Sequence, residues 1–573
     1  MSRKSVVLSF ISENPSLISD PIQLAKLIFS KTDGKYSLKK LVKEIKSSIA
    51  NTLSEEESNG GYNKVIISRE TIRAKVDGEF DGNPSAAARE MGLPERTVRR
   101  WYSNEKSKKK DIKRFVVTYG QNDTPVHKGF YQSLQVYLKD NNAELIVYKG
   151  KYRNPTSIIE SKKEDVDWDY RLKPYLMQTE RRLNEKITIY PAFTSPTAVT
   201  PLSGFDTITG NRSGIFPHPK YQMKTVPTPS QSLPKILSTT GAITIPNYSQ
   251  SKAGTKGEFH HIIGAVVVEI VDDKKFHIRQ ISADSDGSFY DIAGGEIKKY
   301  SADGISGEHR LEALVGGDIH VPFECKESIE ATFDQIDRFK PKELFLHDMV
   351  DIWSVNSHET NNRFLNTAKL RHGVMEVEKE VDKSVELINR FATSLPDIKV
   401  NLVASNHNDQ IDRFLNNADV DKLTVNSEYF HYLSWQKHKS ARLVGNGFSF
   451  IEAYAFSALE KLKDKFPKSV GRVEFLKRDV PYMIGDIEYG IHGCKGSNGA
   501  RGSTLGYSKI GIKTVTAHSH SPAIIDGSYT VGVLSIINLA YASGQSSWLN
   551  TNCFTYPNHK RTLINIIDGK YCL

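Results

Sequence analysis

The spacing of apolar positions divides the chain into a helical beginning and a longer part that mixes strands with helices. Residues 22–29 and 38–49 have apolar side chains about every 3.6 positions, which predicts two helices separated by a Thr-Asp-Gly turn. After residue 114 the pattern changes to short apolar runs rich in β-branched and aromatic residues, which is typical of strands. The first predicted strands lie at residues 115–119, 144–148, 186–190 and 262–270.

The C-terminal half alternates strand-like runs with amphipathic stretches, which predicts an α/β arrangement. Its helices are predicted at residues 329–339, 375–394 and 447–466, and an earlier helix at 129–139. Residues 191–256 are rich in Pro, Ser, Thr and Gly and predict long loops. We therefore expect a multidomain α/β protein. The predicted divisions are a helical region at 1–58, a second helical region at 62–106, a mixed α/β middle domain at 107–304 and a C-terminal domain at 305–573.

Length and composition limit the class of protein. A chain of 573 residues is too long for one hydrophobic core, and 25% charged with 38% hydrophobic residues is ordinary for a soluble protein. No apolar run reaches the length of a membrane span, and the N-terminus lacks a signal-peptide core, so we expect a cytoplasmic protein without a membrane partner. The four cysteines have no CxxC spacing, which indicates a reducing compartment and no zinc finger. Homo-oligomerisation stays open.

The positive charge is concentrated at the N-terminus. The chain carries a net charge of +10, and residues 1–114 hold 23 Lys and Arg against 15 Asp and Glu. A localised basic excess points towards nucleic acid as a partner. The alternative is a basic surface that only contacts solvent.

Residues 85–102 have the pattern of two short helices joined by a tight turn. Ser85 can cap the first helix, Gly92 supplies the turn, and Pro94 suits the first turn of the second helix. This pattern resembles a helix-turn-helix DNA-binding unit, in which the second helix enters the major groove. The alternative is an ordinary pair of helices with basic residues facing solvent. The cations left facing outward, and so predicted to contact DNA, are Arg96, Arg99 and Arg100.

Clusters of histidine, carboxylate and amide side chains follow the strand-like runs of the C-terminal half. Strands that end in such residues can bring them together at one edge of a sheet. A lone Asp or His is more often structural, but an ordered set at successive strand ends predicts a metal site. These clusters are Asp318 with His320, His347 with Asp348, Asn406 with His407, His492 alone, and His518 with His520.

These motifs resemble those of the calcineurin-like metallophosphoesterases, including the double-strand-break repair nucleases of that superfamily. The resemblance covers about residues 312–530. It implies a four-layer αββα sandwich, two divalent metal ions bridged by Asp348, and His407 as the proton donor to the leaving oxygen. The resemblance implies one metal held by Asp318, His320 and His520 and a second held by Asn406, His492 and His518.

Several positions depart from the family pattern. His347 and Ser405 stand where the family has glycine. Asn408 occupies the place of the acidic residue that orients the catalytic histidine, and Asp409 follows it. The predicted ligands are unaffected, but the orientation of His407 is left open. Asp351 fits the second Asp of the family's Asp-x-x-Asp motif, where it orients and does not bind.

A glycine-rich loop at residues 493–503 follows His492. Backbone N–H groups of such a loop can hold a phosphate, and Lys495 and Arg501 can neutralise it. The alternative is a flexible connection without a ligand.

Together these features predict a DNase that hydrolyses phosphodiester bonds with two divalent ions, Mn²⁺ in the first place and Mg²⁺ as the alternative. The combination is similar to tailed-phage proteins that degrade host DNA, which places the expected activity in the host cytoplasm. Two other functions stay open. One is a phosphomonoesterase or protein phosphatase of the same superfamily, and the other is a non-enzymatic DNA-binding or DNA-transfer protein.

Overall fold

A computed structural model describes residues 114–152, 167–229, 233–356, 359, 362–539 and 544–572. The two N-terminal regions, with the predicted helix-turn-helix and Arg96, Arg99 and Arg100, lie outside these residues. The described residues belong to one compact unit and are mixed α/β, which confirms the predicted fold class at that level. No helix among them is long and apolar enough to cross a membrane.

The strands of the first half of the described chain are β1 (Arg114–Gln121), β2 (Glu144–Gly150), β3 (Leu176–Met177), β4 (Arg181–Arg182), β5 (Ile187–Ile189), β6 (Ser213–Ile215), β7 (Gln222–Val226), β8 (Lys235–Ser238), β9 (Gly264–Ile270), β10 (Phe276–Ser282), β11 (Phe289–Ala293), β12 (Glu296–Ser301) and β13 (Gly304–Ser306). Those of the second half are β14 (Ala313–Val315), β15 (Glu343–Leu346), β16 (Lys399–Leu402), β17 (Arg442–Val444), β18 (Gly447–Ser449), β19 (Val473–Phe475), β20 (Met483–Ile484), β21 (Ile487–Glu488), β22 (Lys513–Thr516), β23 (Ala523–Ile525), β24 (Ser528–Thr530), β25 (Thr551–Thr555) and β26 (Arg561–Asn565).

The α-helices are α1 (Lys128–Asp140), α2 (Lys252–Phe259), α3 (Lys326–Phe339), α4 (Arg363–Arg371), α5 (Val377–Ala392), α6 (Asp409–Asn417), α7 (Ser427–Lys439), α8 (Ala453–Lys465) and α9 (Thr504–Tyr507). Short 3-10 helices lie at Tyr170–Tyr175, Trp353–Val355, Val420–Lys422, Pro467–Arg472 and Ser497–Gly499.

Two large sheets carry the C-terminal half. The six-stranded sheet has the order β19-β16-β15-β14-β25-β26, in which β14, β15, β16 and β19 run parallel and β25 and β26 are antiparallel. The ten-stranded sheet has the order β20-β21-β22-β24-β23-β7-β8-β6-β5-β4. Strands from residues 181–238 and from residues 483–530 therefore belong to one sheet, joined where β23 pairs antiparallel with β7. A five-stranded sheet, β10-β9-β1-β2-β3, a three-stranded sheet, β11-β12-β13, and a two-stranded sheet, β17-β18, complete the sheets of the described residues.

Alternating side chains of the six-stranded sheet face two buried clusters. Leu344 and Leu346 of β15 pack with the helices, whereas Phe345 between them packs with Val515 and Ile524 of the ten-stranded sheet. A parallel strand buried on both faces needs a continuous apolar run, which explains the sequence Leu-Phe-Leu. The αββα layer order that the resemblance implies stays a prediction.

Helix α5 shows how the sequence forms the helical layer. Val377, Val381, Val385 and Ile388 recur at helical spacing, and all four are buried against the apolar side chains of β15 and β16. Acidic residues occupy the first turn and Arg390 the last, so both charges oppose the helix dipole. Burying side chains of this size stabilises the helix by about 1.5–3 kcal/mol each.

Most predicted elements are found, and two predictions are wrong. The helix predicted at 447–466 begins only at Ala453, because residues 447–449 pair with β17 in an antiparallel hairpin. The long loops predicted at 191–256 contain β6, β7, β8 and the first part of α2. The Pro, Ser, Thr and Gly content of this segment predicted loops, but β6 and β8 pair with each other and β7 also pairs with the distant β23.

Candidate metal centre

The predicted ligands lie at the carboxyl ends of parallel strands. The loops after β14, β15 and β16 carry Asp318 and His320, then Asp348, then Asn406 and His407. The loops after β21 and β22, which are parallel neighbours in the second sheet, carry His492, His518 and His520. Side chains at these strand ends converge, as expected for open α/β sheets.

The first group of converging side chains is Asp318, His320, Asp348 and His520, whose potential ligand atoms all lie within 4.8 Å of one another. The Nε2 atoms of His320 and His520 are 3.1 Å apart. Asp318 Oδ2 lies 3.2 Å from His520 Nε2 and accepts a hydrogen bond from the backbone N–H of His518 at 2.9 Å. The group is the set that the resemblance implies for one metal, together with the bridging aspartate.

The second group is Asp348, His492 and His518, again within 4.8 Å. His492 Nε2 lies 3.1 Å from Asp348 Oδ2 and 3.2 Å from Asn406 Oδ1, so Asn406 joins this group. Asp348 belongs to both groups. A carboxylate shared between two ligand sets is what a bridged two-metal site needs.

Unpaired carboxylate oxygens mark the centre of these groups. Within the described residues, Oδ1 of Asp348 and Oδ1 of Asp318 are buried without a hydrogen-bond donor, and Oδ2 of Asp348 faces His492 Nε2 at 3.1 Å. A buried carboxylate oxygen without a donor costs free energy unless a cation or a water satisfies it. Oxygen and imidazole donors in this mixture suit a divalent cation. The residues therefore fit a metal-binding role.

Backbone conformation at the site is unusual. His320, Asp348, His518 and His520 all have positive φ, between 41° and 69°, a region that residues with a Cβ rarely adopt. Each such residue costs on the order of 1–3 kcal/mol, and residues of this kind cluster at functional sites. Gly317 is needed for a related reason, since a Cβ there would come within 2.8 Å of the Gly532 carbonyl oxygen. The loop after β14 can approach the 532–533 backbone only with glycine at that position.

The surroundings of Asp318, His518 and His520 favour the forms that a metal needs. At His492, by contrast, burial would lower the pKa, but the carboxylates of Asp348 and Asp318 raise it. Burial alone would raise the pKa of Asp318, but the hydrogen bond from His520 and the charge of His492 hold it below its usual value. Burial lowers the pKa of His518, with the help of His492, to about 4, and burial also lowers that of His520. Ionised aspartate and neutral imidazole are the forms that coordinate metals.

His407 is held by Asp351. The Nδ1 atom of His407 donates to the backbone carbonyl of Asp351 at 3.0 Å and lies 3.2 Å from its Oδ1. The same Oδ1 lies 3.1 Å from Nδ1 of His320. Burial would lower the pKa of His407, but the charges of Asp348 and Asp351 raise it to about 10. His407 is thus favoured in its protonated form, as a proton donor must be.

The orientation of His407, which the sequence left open, is therefore given by Asp351. Asn408 and Asp409, the two candidates beside His407 in the sequence, make other contacts. The backbone N–H of Asn408 donates to Ser405 Oγ at 3.3 Å, and Asp409 accepts a hydrogen bond from Arg478 at 2.8 Å. Asp351 has the orienting position that the Asp-x-x-Asp motif predicts for it.

His347, which stands where the related family has glycine, contacts the second group. It is completely buried, and its Nδ1 lies 3.3 Å from Nδ1 of His492. Burial, with the charge of His492, lowers the pKa of His347 to about 3, so its ring is neutral. A neutral ring can accept the Nδ1 proton of His492 and leave Nε2 facing Asp348 and Asn406.

The loop at 493–503 lies beside the second group and borders a cavity of about 340 Å³. The cavity is lined by His492, Cys494, Lys495 and Arg478, among others. Arg501 pairs with Lys495 in an isolated backbone bridge, and both side chains are exposed. The two cations predicted to contact phosphate are therefore accessible, and Lys495 borders the cavity.

Two further residues shape the site without a signal in the sequence. Arg478 donates to the carbonyl of Ser405 at 2.9 Å and so ties the loop that carries Asn406 to the cavity wall. The ring of Trp548 lies 4.2 Å from that of His520, edge to face, and fixes the histidine from outside. Neither residue belongs to a motif, because each acts only through a neighbour distant in the sequence.

The chain is similar to a phage protein. The chain is 31% identical over 511 residues to Protein A1 of Escherichia phage T5, an alignment that covers 86% of each chain. No family model matches the chain, and no solved structure matches it.

Proposed function

This chain belongs to the family of Protein A1 of Escherichia phage T5, and we propose that it is a divalent-metal phosphodiesterase that cuts DNA. The observation that carries the proposal is the pair of ligand groups that share buried Asp348. A mononuclear structural site would not need two groups that share a carboxylate. The architecture proposed is that of a calcineurin-like metallophosphoesterase.

Asp318, His320 and His520 would hold one cation, and Asn406, His492 and His518 the other, with Asp348 between them. Two divalent cations bound there, Mn²⁺ in the first place, would lower the pKa of an attacking water and neutralise charge on the phosphate. Asp318 and Asp348 supply the negative charge that holds the cations. His347 and Asp351 each engage the Nδ1 side of a ligand histidine, which leaves its Nε2 side to face the ligand group.

His407 would donate the proton to the leaving oxygen. Its Nδ1 is engaged by Asp351, so Nε2 is the atom left to carry the proton to the substrate. In the metal-free protein the charges of Asp348 and Asp351 raise the pKa of the ring to about 10, and Asp351, which holds no cation in this assignment, stays in contact with it. Loss of an alkoxide leaving group is assisted by such a donor, typically by about 10²–10⁴-fold.

The choice of DNA as substrate rests on charge. The basic excess of residues 1–114, with Arg96, Arg99 and Arg100, supports contact with phosphates. Lys495 at the cavity and exposed Arg501 next to it could neutralise phosphates close to the metals. The phage relative supports the proposal that the DNA is that of a bacterial host and that cleavage takes place in its cytoplasm.

One assay tests the proposal. Purified protein is incubated with Mn²⁺, Mg²⁺ or EDTA and offered duplex DNA, single-stranded DNA, a bis-aryl phosphodiester and an aryl phosphomonoester in parallel. We expect cleavage of DNA and of the diester with Mn²⁺ and none with EDTA. Preferential turnover of the monoester would support a phosphatase instead, and DNA binding without any turnover would support a non-enzymatic protein.

A further inference from the structure

A small hairpin between α7 and α8 exposes large apolar side chains. Its strands, β17 and β18, pair antiparallel so that Leu443 stands directly opposite Phe448. Leu443 is 71% and Phe448 74% exposed, and no residue of either strand is buried. Gly445, with a φ of 57°, makes the turn. The hairpin therefore presents an apolar pair to solvent at the end of a protruding element.

Such exposure needs an explanation. Opposite residues of an antiparallel pair share one face, and burying a side chain of this size contributes about 1.5–3 kcal/mol. A two-stranded hairpin is at best marginally stable without packing. An exposed apolar face on such an element is typical of a contact site. We therefore expect a binding partner to cover the apolar face of the hairpin.

The positive charge around the hairpin favours a negatively charged partner over a second copy of the same chain. Residues 435–450 contain Lys437, Lys439 and Arg442 and no Asp or Glu. Lys437 is paired with Asp412, whereas Lys439 and Arg442 have no ion-pair partner among the described residues. Two copies of this hairpin would bring like charges together. A partner with flat apolar groups and negative charge fits better, and that is the chemistry of unpaired nucleobases on a phosphate backbone.

Aromatic rings and cations also alternate in this segment. The Nζ atom of Lys439 lies 4.9 Å from the centre of the Trp435 ring, and Trp435 is itself 58% exposed. Phe450 follows β18 and is partly exposed. Basic residues interleaved with exposed aromatic rings are typical of surfaces that bind single-stranded nucleic acid.

The base of the hairpin is fixed to the helix that starts beside His407. Helix α6 begins at Asp409, two residues after His407. Asp412, about 5 Å farther along that helix at 1.5 Å per residue, is paired with Lys437 at the end of α7. Its other oxygen lies 3.4 Å from the backbone N–H of Ala453 at the start of α8. The elements before and after the hairpin are thus both anchored to a helix of the metal centre.

We propose that Leu443 and Phe448 form a base-stacking site for unpaired nucleotides of the DNA strand that enters the metal centre, with Lys439 and Arg442 contacting its phosphates. The proposal rests on the proposed function, since it extends the substrate of that site. It gives the enzyme a preference for single-stranded DNA or for frayed ends, because paired bases cannot offer their faces.

The test measures binding of a fluorescent single-stranded oligonucleotide and of the matching duplex to the full chain in EDTA, where no cleavage occurs. Phe448→Ala should weaken single-strand binding about 5- to 150-fold, which corresponds to ~1–3 kcal/mol per stacked base. Phe448→Trp should restore it. Phe364→Ala is the matched control for the loss of an exposed phenylalanine, because Phe364 on α4 is 84% exposed and lies outside the hairpin. A 2-aminopurine base in the oligonucleotide should be quenched by the parent and not by Phe448→Ala.

Equal single-strand binding by Phe448→Ala and the parent would overturn the proposal. So would an equal loss for single strand and duplex, or a change of oligomeric state on Phe448→Ala, which would make the hairpin an interface between copies. Turnover of a small phosphodiester with Mn²⁺, measured on the same proteins, reports on the metal centre alone and should not change. Failure of the proposed function and failure of the stacking site are therefore separable.

Discussion

Glu380 gives a prediction whose size can be worked out from the structure. This glutamate lies in α5 and is only 6% exposed, and its carboxylate accepts hydrogen bonds from the backbone N–H and from Oγ of Ser354. Ser354 follows Asp351 by three residues, so Glu380 supports the loop that orients His407. Burial raises the pKa of Glu380 to about 7 from an ordinary value of 4.5, in spite of the Ser354 bonds.

The sign of the pH effect follows from proton counting. Below pH 4.5 the folded and unfolded chains both keep the Glu380 proton. Between pH 4.5 and 7 the unfolded chain loses its proton first, so the folded chain binds more protons and stability falls as the pH rises. Above pH 7 both chains have lost the proton, and the decrease in stability has reached its full size. A shift of about 2.5 pKa units at 1.36 kcal/mol per unit amounts to about 3 kcal/mol.

Glu380→Gln removes this titration and keeps an acceptor for Ser354. We expect the variant to gain about 3 kcal/mol relative to the parent between pH 4.5 and pH 8, measured as the difference in urea unfolding free energy at each pH. Glu386→Gln, at an exposed position on the same helix, is the control. Its unfolding free energy should change with pH in the same way as that of the parent. If the unfolding free energy of Glu380→Gln changed with pH in the same way as that of the parent, ionisation of the buried carboxylate would cost no stability and the reasoning would be wrong.

Three further predictions concern function. Asp348→Asn should abolish nearly all Mn²⁺-dependent hydrolysis while the fold survives, because one carboxylate serves both ligand groups; normal turnover with two bound metals would refute the shared role. His407→Ala should keep both metals by elemental analysis and slow cleavage about a hundredfold or more; loss of a metal would make His407 a ligand. Arg96, Arg99 and Arg100 changed together to Ala should weaken DNA binding and flatten its salt dependence without affecting a small phosphodiester. An unchanged salt series would leave that segment without a DNA role.

The sequence by itself was enough to predict which side chains form the site. The order of apolar runs and polar ends predicted which residues follow strands, and the structure brings Asp318, His320, Asp348, Asn406, His492, His518 and His520 together. Local periodicity is enough for this, because a strand buried on both faces must be apolar and its first polar residues come at its end. The roles of these residues, and the DNA-binding role of the N-terminal segment, stay predictions.

Helix and strand boundaries were less well determined where a local pattern fits two structures. Residues 447–449 have apolar spacing compatible with the start of α8, but the turn at Gly445 lets them pair with β17. Residues 213–238 read as loop, yet β6 and β8 pair with each other and β7 pairs with β23, some 300 positions away. Pairing at that distance cannot be recognised from local composition, because the backbone N–H and C=O groups of a strand can form hydrogen bonds with any neighbouring strand.

Only the tertiary structure decided how the site is supported. The partner of His407 is Asp351, 56 positions earlier, and not Asn408 or Asp409 beside it. Likewise the backbone N–H of His518 donates to Asp318 across 200 positions, and the His347 ring lies against that of His492 across 145. Each contact depends on which strand ends meet, and that is fixed by strand order and sheet packing. The ligands can be recognised in the sequence because only a few residue types bind metals. The orientation of each ring depends on contacts that exist only in the folded chain.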